Sequence, residues 1–435
     1  MSGSGSGSGG DGHAQGGEGL LAALSARPGG PELLGLAATR ADLALVGGAT
    51  RDLLLGREPR ELDVAVEGAA DALAEQLAER IGRERCTITV HGRFGTALLS
   101  WPDGRIDIAE RRAESYAAPG ALPEVRAGSP EQDLARRDFT VNAIALALGG
   151  PERGRLQAVP GAFEDLAAGR LRVLHERSFV EDPTRLLRLA RYQARLGFTP
   201  EPDTAALAAS ALAEGVLASV SGARVGAELR LALAEAEPLA ALGALAALGV
   251  LAAIDPRMRV DAQLTRRALS ALPRDGRPDL LALAALLLPL TEDPGHDPEP
   301  AIFELLDRLE FTAGQRERAS RSALLAPALA LELALVRSPS AVRDAVASAP
   351  LETVALAGAL GAEQGQPHVW EAAGSWLATW RHVRLSITGE DLLAAGVPAG
   401  PEVGLRLASA LRGRLDGEVA DGREAELRAA LEATV

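Results

Sequence analysis

The chain has 435 residues, 47% hydrophobic and 24% charged, which is ordinary for a globular protein and long enough for two or more domains with a substantial core. A formal net charge of −14 argues against indiscriminate nucleic-acid binding while leaving room for a local basic groove. The single cysteine, Cys86, excludes an intrachain disulfide and a cysteine-rich zinc site and fits a reducing, cytoplasmic compartment.

Lysine is absent, so every basic side chain is arginine. Residues 1–18 are glycine- and serine-rich and read as a flexible tail without the apolar core of a signal peptide. Leu20 to Ala26 and Pro31 to Ala38 read as short helices leading into a buried strand, Leu43 to Val46. Gly47 and Gly48 follow, where a missing Cβ permits a sharp turn and close approach to a ligand. A short helix from Thr50 to Leu55 carries Arg51 and stops at Gly56. The next strand places Glu61 and Asp63 on one face, with Leu62, Val64 and Val66 alternating between them. Two carboxylates aimed together beside a glycine turn repel unless a cation lies between them, and a magnesium pair is the fitting one. A solvated strand face is the plainer alternative.

Ala69 to Ile81 has helical spacing. Cys86 to Val90 and Thr96 to Ser100 read as strands joined by a turn at 91–95, with Cys86 a small buried hydrophobe. Pro102-Asp103-Gly104 marks a hairpin, and Arg105 to Ala109 returns with Asp107. If that strand neighbours the one bearing Asp63, Asp107 supplies a third carboxylate, as metal orienter or proton acceptor; an exposed acid on an alternating strand is an equal alternative. From Glu114 to Pro130 the chain reads as a loop too long for a simple connection.

The stretch Asp133 to Ala145 holds Arg137, Asp138, Thr140 and Asn142. These suit phosphate, ribose or backbone, and equally a capped helix N-terminus with surface arginines. Asp182-Pro183 opens a helix that Gly197 ends, with Asp182 and Arg185 three apart on its first turn and Arg188 and Arg191 following. Carboxylate and guanidinium together offer complementary edges to a base. From Arg170 to Phe198 seven arginines face three acids, which makes either a basic patch or a salt-bridged helix. Beyond Ser178 the segments are alanine- and leucine-rich helices, with breaks expected at Pro256, Pro273, 292–300, Pro327, Pro350 and Pro398. Apolar stretches such as Pro278 to Leu290 are too short for a membrane span, so no membrane partner is expected.

Taken in this order, the motifs from Leu43 to about Phe198 resemble the class II tRNA nucleotidyltransferase and bacterial poly(A) polymerase family, most closely the CCA-adding enzymes. Weaker similarity continues at Ser221 to Leu229 and at Ile387 to Gly404. The resemblance implies an α+β chain. A polymerase-β-like nucleotidyltransferase head with a mixed sheet (19–176) would precede an all-helical neck (177–255) and a helical body and tail (256–435). It implies Glu61 and Asp63 as ligands of Mg2+, with Asp107 joining them in catalysis. Gly48 and Arg51, beside Gly47, would contact the triphosphate. Arg137, Asp138, Asn142, Arg185, Arg188 and Arg191 would bind nucleotide, and Asp182 with Arg185 would read the base edges of ATP and CTP. The expected reaction is template-independent addition of CMP and AMP to the tRNA 3′ end. An A-adding enzyme, a poly(A) polymerase and a catalytically silent RNA-binding protein are the alternatives. The segment from Arg111 through Tyr116 resembles a flexible element that favours full CCA or A addition.

Two departures stand out. The family's first metal ligand is normally aspartate, whereas here it is Glu61, one methylene longer. Some relatives carry a phosphohydrolase domain marked by histidine-aspartate pairs. Here Leu280 to Leu290 has none, and His296-Asp297 falls in a proline-rich loop, so no such activity is expected.

Overall fold

The computed structural model describes residues 11–292, 295 and 297–434, so His296 lies outside the described residues. The chain divides into two compact units, one ending at Val220 and the other beginning at Ser221.

The first unit is built on a seven-stranded mixed sheet. Its strands are β1 (Ala44–Val46), β2 (Leu62–Val66), β3 (Thr87–His91), β4 (Thr96–Trp101), β5 (Gly104–Glu110), β8 (Ile144–Ala147) and β9 (Leu156–Ala158), in the order β3-β4-β5-β2-β1-β8-β9. The β2·β5 pair is parallel and every other pair is antiparallel. Period-2 alternation sorts the side chains. Leu62, Val64 and Val66 of β2, with Ile106 and Ile108 of β5, enter one core with Leu21, Leu24, Leu33, Leu73 and Leu77. Those leucines come from α1 (Asp11–Ser25), α2 (Gly30–Ala37) and α4 (Ala70–Ile81). Asp63 and Asp107 necessarily point to the opposite face.

Helix α1 begins at Asp11, inside the segment expected to be a flexible tail through residue 18. Leu21 and Leu24, 2% and 0% exposed, anchor its C-terminal half, and the helix extends backward from that anchor in spite of its glycines. Part of the expected 114–130 loop is instead regular, as β6 (Arg112–Ser115) paired antiparallel with β7 (Glu124–Ala127). Both strands are short and polar, so neither shows an apolar alternation. The unit closes with α7 (Ser178–Glu181), α8 (Thr184–Leu196) and α9 (Pro202–Ala213), with β10 (Arg170–Leu171) pairing β11 (Thr199–Pro200). Helices α5 (Pro130–Ala135) and α6 (Ala162–Ala168), and α3 (Gly47–Leu54) after β1, complete it.

The second unit is helical wherever its described residues have regular structure, from Gly222–Leu233 to Arg423–Glu432. The helix Pro278–Leu287 is buried along its length from Leu280 onward, as an all-round apolar helix must be. Pro327 does not break its helix, which runs uninterrupted over Ala313–Leu335. The lost backbone donor is offset by a buried stripe of Ala323, Ala326, Ala330 and Leu333. Among the described residues no helix is long and apolar enough to cross a membrane.

Candidate active site

Parallel pairing of β2 with β5 sets Asp63 directly beside Asp107. Glu61 lies one residue before β2 rather than within it, yet it reaches the same place. One carboxylate oxygen from each of Glu61, Asp63 and Asp107 lies within 4.8 Å of the others. All three are half-buried. Burial and the neighbouring charge of Glu61 push the Asp63 carboxyl up to about 7, against the pull of Arg137. Burial and Asp107 likewise raise Glu61, with Arg105 opposing. An oxygen-only donor set whose negative charge Arg105 and Arg137 offset only in part suits a hard divalent cation.

The glycine turn lies against this cluster. Helix α3 begins at Gly47, three residues earlier than the expected Thr50, so the glycines form its first turn. Ala49 N–H points at Asp63 Oδ2, 3.4 Å away. Gly47 has φ of 64°, and a Cβ there would lie 2.7 Å from Nη1 of Arg137 and 3.4 Å from Asp63. A Cβ on Gly48 would lie 3.5 Å from both Arg51 and Asp63. Gly47→Ala is therefore expected to destabilise the first unit by about 1 kcal/mol, through the left-handed backbone alone. It should also displace Arg137 and weaken nucleotide binding several-fold; thermal melts and nucleotide titration check the two effects.

A buried polar network extends from the turn. Arg51, 0% exposed, donates to Asp52 through Nε (2.9 Å) and Nη2 (2.6 Å), and to Asn142 Oδ1 through Nη1. Asn142 donates to Asp138 (2.8 Å), which also accepts from Phe139 N–H (2.8 Å) and pairs with Arg188 Nη2 at 2.7 Å. Burial alone would raise Asp138; Arg188, Asn142, Arg185 and the Phe139 amide outweigh it and hold the carboxyl below its ordinary range. Residues Thr140–Asn142 form a buried 3-10 turn, with Thr140 donating to Asp165 (2.8 Å). They are not a helix start: the nearby cap is Ser129, which opens α5.

Tyr192 is the hub on α8. Its ring takes Phe139 edge-on at 5.8 Å and has the guanidinium carbons of Arg191, Arg51 and Arg188 at 4.9, 5.3 and 6.0 Å. Arg185, 4% exposed, donates to Ser178 Oγ (2.6 Å) and to the Arg136 carbonyl (2.8 Å). Helix α8 begins at Thr184 with Pro183 at its N-cap, so Asp182 stands one residue ahead of the cap, where it accepts from the Thr184 amide (3.1 Å) and hydroxyl (2.6 Å). Asp182 and Arg185 thus sit together, each already engaged by its own chain.

The β6·β7 hairpin is tied to this network at Glu114. Glu114 accepts from Arg112 (2.9 Å), Arg136 (3.0 Å) and Tyr116 (3.1 Å). Burial and Glu114 together push the Tyr116 hydroxyl up to about 12. Arg136 and Arg137 both pair with Asp133, at 2.7 and 3.0 Å.

The candidate catalytic and nucleotide-binding residues named from the sequence therefore fall in or beside one assembly. Others went unrecognised: Asp52, which holds Arg51 and Arg195 (2.9 Å); Asp133; Glu114; and Tyr192. A sequence cue existed for the last, since it lies four residues after Arg188 and is one of two tyrosines in the chain, both placed here.

Residues 43–172 match the family described as the Poly A polymerase head domain. The chain is 46% identical over 198 residues to the A-adding tRNA nucleotidyltransferase of Geobacter sulfurreducens, covering 45% of this chain and 22% of that one. It is 45% identical over 201 residues to the CC-adding tRNA nucleotidyltransferase of Deinococcus radiodurans, covering 45% and 51%. The chain thus spans about half or less of the length of these curated relatives. Among solved structures it is similar to a CCA-adding enzyme in apo form II, with TM-score 0.72 and 29% identity over 95% of this chain and 97% of that one. It is also similar to the Thermotoga maritima CCA-adding enzyme complexed with tRNA, with TM-score 0.69 and 26% identity over 95% and 98%. The family resemblance read from the motifs, and the α+β head with a helical remainder, are borne out.

Proposed function

We propose that this chain, whose head is a Poly A polymerase head domain, is a nucleotidyltransferase that adds CMP and AMP to the 3′ end of tRNA without a template. The observation that carries the proposal is the convergence of Glu61, Asp63 and Asp107 from one sheet face beside the glycine turn. Glu61 and Asp63 would hold Mg2+, and Asp107 would complete the cluster. The chemistry bound divalent ions supply is activation of the attacking hydroxyl and neutralisation of the leaving pyrophosphate.

The chain's own residues do the rest. The triphosphate would lie beside Asp63 at the glycine turn, with Arg137 packed against Gly47, while fully buried Arg51 would support the turn from within through Asp52 and Asn142. Asp138 and Asn142 fix Arg51 and Arg188, and Arg191 adds positive charge on the same helix. Asp182 and Arg185 are the proposed readers of the base edge, which requires each to exchange a present intrachain partner for the nucleotide. The proposed neck (177–255) straddles the division at Val220, and the body and tail would take the tRNA by shape and backbone. The proposed compartment is the cytoplasm, with the lone cysteine in support.

A second reading, addition of A alone, is favoured by relatives named A-adding in three organisms at 46, 40 and 41% identity. Metal dependence separates either enzyme from a silent RNA-binding protein. Titration with Mg-ATP should show binding that Asp63→Ala removes. A protein that holds tRNA equally well with and without magnesium-nucleotide, and ignores Asp63→Ala, would contradict the catalytic reading.

A further inference from the structure

The three carboxylates do not stand alone. Arg105 lies on β5 two residues before Asp107, so its side chain leaves the same sheet face. Its guanidinium takes both oxygens of Asp107, with Nη2 at 2.8 Å from Oδ2 and 3.2 Å from Oδ1, and Nε at 3.3 Å from Oδ1. The same Nε lies 3.2 Å from Oε2 of Glu61. One planar fork therefore spans two of the three carboxylates, a geometry that a point charge such as lysine cannot reproduce. Among the described residues Asp63, the third, accepts only the long hydrogen-bond contact from Ala49 N–H, and Arg105 acts on it through charge alone.

The lone pairs on Glu61 and Asp107 that accept from Arg105 are those a divalent cation would need. Both cations cannot hold the same oxygens. Arg105 is 48% exposed, so a swing into solvent forfeits little, as for other half-exposed ion pairs. We propose that Arg105 is a resident counter-cation of the carboxylate cluster, which holds Glu61 and Asp107 in place without metal and competes with a divalent ion for them. This rests on the reading of the cluster as a metal centre. Entry of the ion is then a cation exchange: it meets Asp63 first, and the guanidinium yields Glu61 and Asp107. Arg105 is a positioning residue, and its signature is a lowered affinity for free metal.

The test is Mn2+ binding to the full chain without nucleotide or RNA, followed by the electron paramagnetic resonance of the free ion. Wild type, R105Q, R105K and D63A are compared. R105Q should bind Mn2+ about 5- to 10-fold more tightly, because a unit positive charge beside the ligands is gone. R105K, which keeps the charge but loses the fork, should be about 2-fold tighter. In thermal melts without metal R105Q should unfold earlier than wild type, and saturating Mn2+ should close the gap. Unchanged or weaker Mn2+ binding by R105Q, with D63A binding abolished, would overturn the proposal and leave the metal centre standing. If R105Q does not fold, R105K decides: tighter binding supports the competition, and binding no tighter than wild type overturns it. Equal binding by wild type and D63A would overturn the metal-centre reading and this proposal with it.

Discussion

On the proposed function, Asp63→Asn is expected to abolish nucleotide incorporation, with kcat falling by roughly 10^3 or more, and at the same time to stabilise the metal-free protein at pH 8. The two effects share a cause. The Asp63 carboxyl is raised from 3.8 to about 7 by burial and by Glu61. Between those values the folded chain holds a proton that the unfolded chain has released, so wild-type stability falls as pH rises from about 4 to about 7 and is level above. Asparagine mimics the protonated carboxyl and escapes the loss. The shift sets a ceiling of about 4 kcal/mol, and a gain of about 1–3 kcal/mol at pH 8 is expected, closing by pH 4. Magnesium should stabilise wild type and leave Asp63→Asn unchanged. Denaturant titrations across pH, with and without Mg2+, check the sign. A variant less stable than wild type at pH 8 in chelator would contradict the charge-repulsion account.

Arg188→Ala is expected to destabilise the first unit by about 2–3 kcal/mol. Asp138 is 5% exposed and loses its 2.7 Å partner, leaving a buried charge held only by Asn142, Arg185 and an amide. The Arg188 side chain is 33% exposed, which places the effect below that of a fully buried pair. In wild type the depressed Asp138 carboxyl contributes stability that is present above its ordinary range and lost as pH falls through its folded value. The deficit of Arg188→Ala should therefore be largest near neutrality and shrink in acid. Adding Asp138→Asn to Arg188→Ala should restore part of the stability, since no charge is then stranded. It should not restore nucleotide affinity, because Arg188 is gone and Asn142, which positions Arg51, has lost its carboxylate partner. Chemical denaturation and nucleotide titration of the single and double variants measure both.

How far the sequence carries is clear from these residues. Asp63 and Asp107 were legible as candidates because strand alternation assigns each to a face from local pattern alone. Their adjacency was not, because β3 and β4 intervene in the chain and parallel pairing of β2 with β5 is a crossover that spacing does not reveal. Arg51 was legible as a basic residue by the glycine turn; its complete burial depends on Asp52, Asn142 and Tyr192, two of them far away in sequence. Nothing in its own segment marks Arg105 out from an ordinary strand residue; only the pairing of β5 with β2 sets it against Glu61. The β6·β7 hairpin escaped notice because its strands bury little, and α1 because its glycines mask a helix held by two leucines. The proline rule predicts a break at Pro327 because it registers the lost donor and not the buried stripe flanking it.

The most direct measurement is incorporation of labelled CTP and ATP, with Mg2+, onto tRNA transcripts ending before CCA, transcripts ending before the final A, and an unrelated oligonucleotide. The proposed function predicts C, C and then A on the first, A on the second and nothing on the third, all lost in Asp63→Ala. Addition of A to the CC-ended transcript alone would make it an A-adding enzyme, and long A tails on any RNA a poly(A) polymerase. No incorporation by folded protein with either magnesium or manganese would contradict the catalytic account and direct attention to Glu61.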